Sequence, residues 1–162
     1  MPVWRTEIWH PLFVHFPIAL LIIATISGVT ALFLNSKRKE NWQTASGVLL
    51  LLGTVTAWIS IYTGNLADGI VARQICDPTI LKEHELSAFK LAYLFSAAAS
   101  IYLVILFTRL KSMTKSIVNY LSVILMAIGT GYLVYTSHLG ASLVYEQGAG
   151  VNKPTANCNG FE

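Results

Sequence analysis

Charge is what this chain of 162 residues has least of: eight acidic and eleven basic side chains make up 12% of it, against 54% hydrophobic residues. With a mean hydropathy of +0.59 it is more apolar than one soluble core of this length requires. The composition is that of a membrane protein. Cysteine is also scarce, with only Cys76 and Cys158, and the absence of a Cys-x-x-Cys-His motif excludes covalent c-type haem attachment. Ser137 adjoins His138, but no serine or cysteine stands in a recognisable nucleophile motif, which makes hydrolysis the weakest class; Asp68 and Glu146 serve as bases only if folding brings them to a site. Residues 1–9 lack the basic stretch of a cleavable signal peptide, so the first apolar segment is expected to stay in the protein. The short links leave no room for a nucleotide-binding or substrate domain. The net charge of +3 suits anionic lipid rather than nucleic acid.

What is present in quantity is long apolar sequence. Segments at about 11–34, 45–66, 86–108 and 117–138 are each long enough to cross roughly 30 Å of hydrocarbon as a helix. The expected fold is therefore all-α, a four-helix transmembrane bundle over 1–140, followed by an irregular tail over 141–162 that is rich in Gly and Asn. Lys37, Arg38 and Lys39 follow the first span and Arg109, Lys111 and Lys115 follow the third, six of the eleven basic residues in two short links. The positive-inside rule puts those links in the cytoplasm and both termini outside, in the periplasm of a bacterial inner membrane. Trp4 and Trp9 at the outer edge of span one, with Trp42 and Tyr120 at the inner edges of spans two and four, agree with that orientation. Cys76 and Cys158 then share the oxidising compartment, and a disulfide between them is expected to pin the tail over the bundle mouth.

All four histidines fall near the outer ends of spans. In His10-Pro11-Leu12-Phe13-Val14-His15-Phe16-Pro17, His10 caps the first helix and His15 lies one turn inside. Pro17 frees the carbonyl of Phe13 and predicts a bend there. Asp77 and Pro78 read as cap and first residue of the third helix, with His84 about two turns in and Ser87, Ala88, Leu91 and Phe95 following on its face. His138 closes the fourth span, and Gly131 lies two turns below it on the same face, leaving a slot. Span two has no histidine; Ser46, Gly47, Gly53, Thr54, Thr56 and Ala57 give it a small-residue side for close helix contact.

Ionisable groups inside membrane helices are functional candidates because burying them is costly. Three helices each aiming an imidazole at one level resemble the way bundles build cofactor sites. Bis-histidine iron in a b-type haem is the ligand set that fits an apolar slot without cysteine or carboxylate at that depth. Arg73, Arg5 or Lys82 would neutralise the propionates. The preferred pair is His15 with one histidine from the third or fourth span; the remaining two ligate a second haem or hydrogen-bond nearby. The expected function is a b-type cytochrome subunit, an electron carrier more than an enzyme, passing electrons at the periplasmic side between a quinol and a c-type cytochrome or larger redox complex. The alternatives are a copper, zinc or proton site, a structural membrane subunit, or interfacial histidines that cap helices and meet headgroups.

The stretches at 10–20, Thr63-Gly64-Asn65-Leu66, His84 and residues 138–151 together resemble the four-helix predicted membrane protein family labelled domain of unknown function twenty-two thirty-one. The likeness covers nearly the whole chain. It implies the same four spans; some relatives carry c-type cytochrome domains, so it also implies a cytochrome b-like role in electron transfer. Ala141 stands where relatives often have a second glycine.

Overall fold

Two helix boundaries in this chain follow from short local signals, at Pro17 and at Asp77-Pro78. A computed structural model describes residues 5–151. After a 3-10 turn at Thr6–Ile8 come α1 (Trp9–Phe13), α2 (His15–Leu32), α3 (Ser36–Val71), α4 (Pro78–Phe107) and α5 (Ser112–Tyr145). Four stretches, Thr6–Leu32, Lys37–Val71, Pro78–Phe107 and Ser112–Tyr145, are long and apolar enough to cross a membrane, as the composition requires. The first is broken at Val14, between α1 and α2, where Pro17 has no N–H to offer the carbonyl of Phe13. Helix α4 starts where expected: Pro78 is its first residue, and the Asp77 carboxylate accepts from the Thr79 amide (2.9 Å) and hydroxyl (2.6 Å).

Helix α5 runs to Tyr145, so the first five residues of the expected tail are helical. Nothing in Ala141 to Tyr145 breaks a helix, and Leu143 is buried in a satellite cluster with Ala67, Val71 and Ile75. Beyond it, turns through Gly148 (φ 68°) and Gly150 (φ 70°) bring Ala149 onto that cluster. Gln147 ties this segment to the link before α4, its side-chain oxygen accepting from the amides of Cys76 and Asp77, both at 3.2 Å. Cys76 is exposed and has no cysteine partner among the described residues; Cys158, its expected disulfide partner, lies outside them.

The helices pack as two halves. Contact is extensive between α2 and α3 and between α4 and α5, and sparse across the seam, where α3 meets α4 and α2 meets α5. The halves repeat each other at several contacts. Ser46 donates to the carbonyl of Ala24 (2.8 Å) and Ser122 to that of Ala98 (3.3 Å). A Cβ at Gly53 would lie 2.6 Å from Leu21, and one at Gly129 would lie 2.9 Å from Phe95. Equivalent residues recur 74 positions on in the first helix of each half and 76 on in the second. The chain thus has an internal two-fold repeat of one helical hairpin, both copies running in the same direction. Leu21, Leu50, Phe95 and Met126, two from each half and equivalent in pairs, are the largest fully buried side chains.

Gly53→Ala and Gly129→Ala are each expected to destabilise the fold by about 1–3 kcal/mol through overpacking, read as a lower melting temperature in detergent. Gly131→Ala, where nothing lies within 4 Å, should melt as wild type or slightly higher. Equal melting of Gly129→Ala and Gly131→Ala would show that the close pairing of α4 with α5 is absent. A second expectation concerns the α4 cap: the hydroxyl and amide of Thr79 hold the Asp77 carboxyl below the usual carboxylate range. The cap is therefore fully present above the unfolded carboxylate pKa and is lost as pH falls through the depressed folded value. Amide exchange at Thr79, corrected for its intrinsic pH dependence, should accelerate only in that acid window, and Asp77→Asn should remove the pH dependence.

Candidate functional site

The repeat brings two imidazoles together. His10 and His84 are equivalent in the two halves, and their rings meet at a centroid separation of 6.1 Å with planes at 87°. His10 donates from Nδ1 to the carbonyl of Ser60 on α3 (2.8 Å), and His84 donates from Nδ1 to that of Thr136 on α5 (2.9 Å). A carbonyl only accepts, so each neutral ring carries its proton on Nδ1 and leaves Nε2 as a free lone pair. The two nitrogens lie on nearly opposite sides of an imidazole. Each Nε2 is therefore turned away from the helix that anchors its ring.

Glycine makes room for both rings. A Cβ at Gly64 would sit 3.1 Å from Nδ1 of His10, and one at Gly140 would sit 3.2 Å from Cε1 of His84. Around them lie buried hydroxyls. Thr63 donates to the Ser60 carbonyl (3.0 Å), Ser87 donates to the His84 carbonyl (2.9 Å), and the Thr136 hydroxyl lies 2.9 Å from that of Ser87. The His84 anchor is thus a closed ring of hydrogen bonds between α4 and α5.

The other expected site residues do not join this pair. His15 is exposed, because five residues beyond His10 a helix has turned by about 140°. His138 is exposed for the same kind of reason, two residues and about 200° from Thr136. It is His10, rather than the His15 preferred from sequence, whose ring meets a histidine of the third span. Gly131 lines a groove of about 230 Å³ with Ile128, Tyr132 and Tyr135 on the outer face of α5; it shares His138's side of the helix, and the slot opens outward, away from the paired rings. Arg73 is exposed in the link before α4, while Arg5 pairs with Glu7 and Lys82 with Glu85, each at 2.6 Å. Tyr135 hydrogen-bonds Glu83 across the same outer face.

The sequence reading missed Ser60, Gly64, Thr136 and Gly140. Their signal was in the chain: Ser60 and Gly64 are spaced as Thr136 and Gly140 are, each four residues apart, and His10 and His84 are each followed two residues on by a leucine. No group of three or more His, Cys, Asp or Glu side chains forms among the described residues. The protein's contribution to any metal here is two imidazoles, each oriented by a carbonyl as metal-ligating histidines usually are.

A metal or haem at this place would be held by those two imidazole nitrogens. No curated protein and no solved structure matches the chain. The family model described as Predicted membrane protein (DUF2231) matches residues 8–153, a span that holds both hairpins and the paired histidines, and the chain belongs to that family.

Proposed function

We propose that this protein is a membrane-embedded electron-transfer subunit that holds one b-type haem between its halves, with His10 and His84 as axial ligands. The observation that carries this reading is the pair itself: equivalent imidazoles 6.1 Å apart, each with Nδ1–H on a carbonyl and Nε2 free. Two ligands suffice only where something else fills the remaining coordination positions, which a porphyrin does. A haem at the seam between the halves, where helix contact is sparser than within them, would be held by one imidazole from each half. Bound there, haem supplies one-electron chemistry. The chain's part is to fix both rings, exclude water with its apolar helices and, through exposed Arg73, offset propionate charge.

The lysine and arginine bias of the links supports a location at the periplasmic face of a bacterial inner membrane, with both termini outside. A c-type cytochrome or larger redox complex is the partner there, with a quinol as electron donor. A second reading is a bare copper or zinc ion on the same two nitrogens, with water completing its coordination; it rests on the same ring pair.

Protein purified from haem-replete cells should show a Soret band that shifts on reduction and give a protohaem signature in the pyridine haemochrome assay. His10→Ala or His84→Ala should remove most of that signal; His15→Ala and His138→Ala should retain it. Copper or zinc without protohaem would establish the second reading. A folded, colourless protein without metal would end both.

A further inference from the structure

The outer surface shared by α4 and α5 carries charge that the histidine site does not use. Lys90 is the last charged side chain of α4, and α5 has no acidic residue anywhere between Ser112 and Tyr145. Its exposed ammonium lies 5.8 Å from the centroid of the Tyr132 ring. The acids further out on α4 are engaged elsewhere: Glu85 pairs with Lys82, and Glu83 accepts from the Tyr135 hydroxyl. Lys90 therefore forms no ion pair among the described residues. Glu83 is exposed and stands seven residues before Lys90, about two turns toward the histidine end on the same face of the helix. Tyr132 and Tyr135, the contacts of these two charges, are also walls of the groove of about 230 Å³ that includes Gly131 and Ile128. The groove begins beside Lys90 and continues a further turn inward to Ile128, where the surface is apolar.

We infer that this face binds one phospholipid with a primary-amine headgroup, its chain against Gly131 and Ile128, its phosphate on the Lys90 ammonium and its amine on the Glu83 carboxylate. In such a lipid the phosphate lies next to the chains and the amine lies beyond it. Apolar groove, then ammonium, then carboxylate is the complementary order, and it runs from the bundle centre toward its histidine end. A cation on a membrane helix calls for a counter-charge, and the long lysine stem lets the ammonium reach outward to a phosphate while its methylenes stay on apolar surface. A phospholipid with an uncharged glycerol head would leave Glu83 without a cation, and a free phosphate has no chain to fill the groove. The site lies on the far side of α5 from the paired rings and does not depend on what they hold.

The test is native mass spectrometry of the full chain released from nanodiscs holding phosphatidylethanolamine and phosphatidylglycerol in equal amounts, with identical acyl chains. Wild type is expected to retain phosphatidylethanolamine in preference by about fivefold, the upper range for one exposed ion pair. Glu83→Gln should remove that preference. Lys90→Gln should lower retention of both lipids, and so should Gly131→Leu, which fills the groove from a position whose Cβ meets nothing within 4 Å. Lys111→Gln, at the opposite end of the bundle, should change neither retention nor preference. Melting temperatures in detergent identify the variants that fold. Equal retention of the two lipids by wild type, a preference for phosphatidylglycerol, a preference that survives in folded Glu83→Gln, or retention unaltered in folded Lys90→Gln overturns the inference. Haem and metal content do not enter this readout, so its failure leaves the histidine reading untouched.

Discussion

Side-chain donors that cross from one helix to a carbonyl of the next hold this bundle in register. His10 to Ser60, Ser46 to Ala24, His84 to Thr136 and Ser122 to Ala98 are two such bonds in each half, one at the histidine end and one deeper. At membrane depth there is no water to take over a lost partner, so a donor either finds an acceptor within the protein or costs several kcal/mol. Each carbonyl already serves its own helix, and its second lone pair receives the neighbour. Such bonds contribute modestly, about 0.6–2 kcal/mol apiece. Their larger effect is on geometry, because a shift of one residue would leave a buried hydroxyl or imidazole unpaired.

Close helix approach is the condition for those bonds. Glycines at 53, 64, 129 and 140 let Leu21, His10, Phe95 and His84 lie against the facing backbone. Packing is consequently strong within a half and thin between halves, where Trp58 reaching Ser96 (3.0 Å) and Thr25 reaching Thr130 (3.0 Å) are among the links. The seam is where the two imidazoles meet. Equivalent residues of two like hairpins face each other along the axis that relates them, and at one end of the bundle those residues are the histidines. The two halves differ three residues after each histidine, where one has Phe13 and the other Ser87.

Much of the scaffold was legible before folding. Apolar run length predicts four spans, Asp77-Pro78 predicts the start of α4, and Pro17 predicts the break in the first span, since each depends on a few adjacent residues. The end of α5 was less legible, because the helix continues past His138 on the strength of Leu143 packing against Ala67 and Val71, a contact from the far end of the chain. The site was legible only in its chemistry. Sequence points to imidazoles near one end of the bundle and ranks His15 above His10, reasoning from depth along a helix without knowing which way each ring faces.

Sequence by itself determined the class of molecule, its four spans and the scarcity of ligands to a few imidazoles, because these follow from composition and local periodicity. Only the tertiary structure decided which histidines meet. That outcome turns on the relative rotation of helices from the two halves, fixed by glycine contacts and carbonyl acceptors some fifty residues away from the rings they hold. Rotation of a whole helix is invisible to any local signal, and at about 100° per residue it separates a paired imidazole from one that faces outward.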